Sequence, residues 1–91
     1  MEVTINDEVQ GWCDTHKASK ALQTKCTEAY NDNFSTWRHV GKSVYDFRAS
    51  GDYRVVARKS TAAFAVKAVY QHATRGGKVH VCGEKVKDYG D

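Results

Sequence analysis

The amino-acid sequence predicts an α+β fold: a two-layer sandwich in which an antiparallel sheet carries two helices on one face. Three observations point there. Apolar residues recur at spacings of three and four within residues 6–30 and again within 62–73, the period changes to two between Trp37 and Lys59, and turn-forming clusters separate these stretches. The resulting order is β-α-β-β-α-β, the split arrangement of ferredoxin-like folds, or α-β-β-α-β if the first strand does not pair.

In chain order, Val3 to Ile5 reads as a short strand, and Asn6-Asp7-Glu8 as a helix start with acidic residues in the first turn. The segment up to about Tyr30 is expected to be helical with a break near Thr15 to Lys17. Val9, Trp12, Cys13 and His16 share one face, whereas Ala18, Ala21, Leu22, Cys26 and Ala29 share another. Asn31-Asp32-Asn33 is a turn. Val40, Val44, Tyr45 and Phe47 mark a strand in which Gly41 suits a bulge or bend, Ala49-Ser50-Gly51-Asp52 is a tight turn, and Tyr53 to Lys59 returns as the second arm of a hairpin.

The stretch Tyr53 to Val81 reads as strand, helix, strand. Ser60 offers a helix start, Ala62, Ala65, Val66, Val69 and Ala73 form an apolar stripe, the alanines at 62, 63, 65, 68 and 73 have the best helix propensity, and Gly76-Gly77 ends the helix before Val79 and Val81 alternate again.

Ninety-one residues make a single compact domain, residues 1–91, with little energy to spare for a large cavity. The chain is too apolar for disorder, and no run approaches the roughly 20 apolar residues of a membrane span. Met1-Glu2-Val3-Thr4 starts no secretion signal, and Cys13, Cys26 and Cys82 are too few and oddly numbered for a disulfide framework, so a cytoplasmic protein with free thiols is expected.

Charge is uneven along the chain. Residues 1–37 carry three Lys against six acids, whereas residues 38–59 carry six Lys and Arg against two Asp. The hairpin is the basic element. Arg38, Lys42, Tyr45, Phe47, Arg48, Arg54, Arg58 and Lys59 are its candidate binding residues, because one register would set Tyr45 and Phe47 beside Arg54 and Arg58 on an open face, where bases could stack and phosphates pair. In the competing register Tyr45 and Phe47 face the helices and the arginines form a solvated surface.

The expected order is shared with RNA-recognition motif domains, whose third strand carries a basic residue, Gly and alternating aromatics. The resemblance is one of topology: Ser50-Gly51-Asp52-Tyr53-Arg54-Val55-Val56-Ala57 has a single aromatic, and no family membership follows.

Cys13 and His16 on a helix, with His80 and Cys82 on a strand, could supply four soft ligands, but the spacing is not that of a zinc finger. No cofactor is expected. Nor is catalysis: the chain has no phosphate loop, nucleophile elbow or zincin helix, and Asp46 and Asp52 read as charge partners and turn formers. The expectation is a non-catalytic binding protein that docks on a larger protein or ribonucleoprotein, such as a phage-type inhibitor of a host enzyme or defence complex, with Trp12, Phe34 and Trp37 as possible aromatic anchors. The alternative is a single-stranded RNA- or DNA-binding domain. No membrane and no small-molecule substrate is expected as a partner.

Overall fold

The computed structural model describes residues 1–89, ordered as β1 (Glu2–Ile5), α1 (Asp7–Thr15), α2 (Ser19–Tyr30), β2 (Arg38–Gly41), β3 (Val44–Ser50), β4 (Tyr53–Lys59), β5 (Ala63–His72) and β6 (Lys78–Gly83). This is an α+β fold with a six-stranded mixed sheet. The sheet runs β1-β5-β4-β3-β2, with β6 also paired to β5. Strand β1 lies parallel to the first half of β5, β6 lies antiparallel to its second half, and the remaining pairs are antiparallel. The ferredoxin-like order is therefore not adopted, and neither is α-β-β-α-β. Both helices fall between β1 and β2, and three further strands follow β3.

The N-terminal third matches its sequence signals. The Asn6 side chain accepts hydrogen bonds from the Glu8 and Val9 amides, capping α1, and Asp7 and Glu8 occupy its first turn. The expected break falls after Thr15, where Lys17 takes a left-handed φ of 57°. Val9 and Cys13 of α1 and Leu22, Cys26 and Ala29 of α2 pack on one face of the sheet, with Trp37, Phe47, Val55, Phe64, Val66 and Val69. No helix among the described residues is long and apolar enough to cross a membrane.

The helix expected over residues 62–73 is instead strand β5. Its helical spacing comes from a β-bulge. Ala57 pairs with Val66 and Val56 with Ala68, which leaves Lys67 as an extra residue. Phe64 and Val66 point to the helices before the bulge and Val69 after it, so two inward residues stand three apart and imitate a helical stripe. Phe64, Val66, Val69 and Tyr70 suit a half-buried pleated surface, and that packing overrides the helical propensity of the alanines. Ser60 does not start a helix. Its amide and hydroxyl donate to the Ala63 carbonyl, and the Ala63 amide donates back to the hydroxyl, closing the β4–β5 turn.

The single strand expected from Val40 to Phe47 is also divided. Lys42 and Ser43 have φ of 50° and 65°, the pattern of a two-residue type I′ turn, and they fold β2 back on β3. The next hairpin, turning at Gly51-Asp52, is where the sequence places it.

Candidate functional site

Alternation along β3 and β4 assigns each hairpin side chain to a face. Tyr45 and Phe47 pair with Ala57 and Val55 and pack into the helix-side core, so they do not join Arg54 and Arg58. The expected aromatic platform is absent from the open face. Lys59 also turns to the helix side, with its ammonium 5.3 Å from the Phe34 ring centre. The opposite face receives Arg38, Arg48, Arg54 and Arg58, interleaved with Val44, Asp46 and Val56. Lys42 lies in the β2–β3 turn, with Asp88 at 3.7 Å.

The C-terminal segment crosses part of this second face. Val86 and Tyr89 pack on Val44, Val56, Ala68 and Tyr70, and the Val86 amide donates to the Tyr70 hydroxyl at 3.0 Å. Arg58 donates to the carbonyls of Lys42 and Lys87, fastening the segment to the sheet. Arg54, Arg48 and Arg38 are left beyond it.

Those three arginines line an open cleft of about 450 Å³ together with Lys25, Thr36, Asp46 and Phe47. The cleft follows from strand lengths. Strand β2 pairs only with Val44 to Asp46, so the outer edge of β3 beyond Asp46 has no neighbouring strand. Arg48 lies directly opposite Arg54 in the β3–β4 register, and among the described residues neither has a carboxylate within 4.0 Å. Like charges set opposite each other on one sheet face repel, and an anion seated between them relieves that repulsion.

One side of the cleft is built from a buried chain of hydrogen bonds. Asp46, 1% exposed, accepts from Arg38 Nε at 2.9 Å and Nη2 at 2.7 Å, and from the Tyr89 hydroxyl at 2.6 Å. That hydroxyl has one proton, which goes to Asp46, so His72 Nε2 at 3.1 Å must be the donor to the Tyr89 oxygen. Burial alone would raise the Asp46 carboxyl, but the hydrogen bonds from Arg38 and Tyr89 outweigh it and hold the group below the usual carboxylate range. Asp46 is ionised. The bond to Asp46 raises Arg38 further, burial and the Asp46 bond raise Tyr89, and burial followed by the nearby Arg54 charge lowers His72.

The sequence reading missed Lys25, His72 and Tyr89 as neighbours of the basic residues. The alternation in Val44-Tyr45-Asp46-Phe47, once its face is known, sends Asp46 away from the helices, and the β2–β3 turn then sets Arg38 opposite it. Nothing local in the sequence joins Tyr89 to Asp46, 43 residues away.

The other candidate groups are dispersed. Cys13 and Cys82 belong to the helix side, whereas His80 lies on the second face beside Tyr70, and no cluster of three or more His, Cys, Asp or Glu is placed to hold a metal among the described residues. Burial pushes the Cys13 and Cys26 thiols up to about 11, the state of inert core cysteines. Trp37 is a core residue rather than an exposed anchor, and its indole donates to the Lys25 carbonyl at 3.1 Å. Half-buried Trp12 stacks on His16 and touches Tyr53, and half-buried Phe34 packs on Phe64. No family model, curated protein or solved structure matches the chain.

Proposed function

We propose that the protein binds the phosphate backbone of a nucleic acid, free or carried in a ribonucleoprotein, in the cleft formed by Arg38, Arg48, Arg54 and Lys25. One observation carries this reading: Arg48 and Arg54 stand opposite each other on the open face, in a concave site, without a carboxylate partner among the described residues. Guanidinium groups match phosphate oxygens as paired donors, and a concave basic wall concentrates their field. With Tyr45 and Phe47 turned inward, base stacking on this face is not available to them. Recognition is then mainly of backbone charge and carries little sequence preference. The proposal is of binding rather than catalysis, and a ribonucleoprotein is the setting in which docking and phosphate contact coincide.

The test is fluorescence anisotropy of a labelled single-stranded RNA, titrated with wild type and Arg48→Ala/Arg54→Ala across a range of salt. Each guanidinium removed should weaken binding by on the order of tenfold, and the double variant should flatten the salt slope by about 1.4, two phosphate contacts' worth. A double variant that binds with the wild-type slope would place the contact elsewhere.

A further inference from the structure

The cleft's three arginines are not equivalent. Arg48 is exposed and Arg54 donates to the Gly51 carbonyl at 3.5 Å, but Arg38 is gripped along one edge by a carboxylate that is itself fully buried. Taking the phosphate-binding reading above as its basis, we infer that Asp46 and Tyr89 are positioning residues, which fix the Arg38 guanidinium so that its remaining donors present one orientation to a phosphate in the cleft.

The geometry supports this step by step. A guanidinium has five N–H donors, and the grip on Asp46 uses one on Nε and one on Nη2. The other three stay available on a side chain that is 58% exposed and lines the cleft. Asp46 is anchored in turn by Tyr89, whose ring is completely buried between Tyr70 and the Lys78 ammonium, with ring-centre and ammonium distances of 4.9 Å and 4.6 Å. Arg38 springs from an edge strand of four residues, and without this hold its long side chain would sample many rotamers. Held in place, it loses less freedom when a phosphate arrives.

The inference reverses the sign that simple charge would give. Among the described residues Asp46 is the only acid lining the cleft, so a long-range electrostatic account has Asp46→Asn tighten polyanion binding. Positioning has the same variant weaken it. The experiment measures fluorescence anisotropy of a labelled single-stranded oligouridylate titrated with wild type, Asp46→Asn, Tyr89→Phe, Arg38→Lys and Arg38→Ala, each corrected for its active fraction by stoichiometric titration. Asp46→Asn should bind on the order of tenfold more weakly. Tyr89→Phe, which keeps every charge and the buried ring, should bind about threefold more weakly with the wild-type salt slope. Arg38→Lys should lose most of the affinity that Arg38→Ala loses, because an ammonium has three donors and two spent on Asp46 leave one, where the planar guanidinium leaves three. Tighter binding by Asp46→Asn, or wild-type affinity in Arg38→Lys, overturns the inference and leaves the phosphate-binding reading intact. If Asp46→Asn does not fold, the Arg38 pair decides. Wild-type protein that fails to bind the oligouridylate removes both.

Discussion

Phe64→Ala should lose about 3–5 kcal/mol of stability, the largest effect expected of any single truncation in this chain. Phe64 is completely buried on β5, where its ring meets Trp37 at 4.8 Å, Phe34 at 5.4 Å and Tyr45 at 5.7 Å. These three aromatic partners come from β3 and from the α2–β2 connection, so the void cannot close by one local shift. A chain of this length has about 5–10 kcal/mol in all. Urea denaturation followed by tryptophan fluorescence should show the variant close to unfolding in plain buffer. A loss below about 1 kcal/mol would mean that β5 does not run through the core as described.

Gly83→Ala should lose about 3 kcal/mol, through backbone alone. Gly83 ends β6 at φ 82°, and a Cβ there would lie 2.2 Å from the Lys67 carbonyl oxygen and 2.9 Å from the Ala68 Cα, both in the β5 bulge. Strain and overlap therefore add. Gly76 is the control, with a similar φ of 80° but no atom within 4 Å of its added Cβ. Gly76→Ala should lose only about 1 kcal/mol. In thermal melts the expected falls are roughly 15 °C and roughly 5 °C. Equal falls would show that the bulge and the end of β6 are not in contact.

The same bulge explains why half of the fold was legible and half was not. The first strand, the Asn6 cap, the break before α2 and the Gly51-Asp52 turn are local devices, and each declares itself within a few residues. Lys67 does not. An extra residue changes the parity of β5, so Val66 and Val69 reach the same face and a strand acquires a helix's spacing, reinforced by five alanines between 62 and 73. The site was legible to the same extent. Charge counting along the chain finds Arg38, Arg48, Arg54 and Arg58, because a charge excess needs no knowledge of contacts. Which face Tyr45 and Phe47 take depends on where the helices lie, and the grip of Tyr89 on Asp46 depends on how the C-terminal segment returns over the sheet. Neither is written in any local pattern.

The proposed nucleic-acid binding belongs to the β3–β4 open face and not to the net charge of the protein. The most direct measurement compares two charge reversals of equal size: Arg54→Glu in the cleft and Lys20→Glu at an exposed position on α2, each titrated against labelled single-stranded RNA at constant salt. The cleft predicts a loss on the order of a hundredfold for Arg54→Glu and less than about threefold for Lys20→Glu. Equal losses would show that binding follows overall charge and would contradict the assignment of the site.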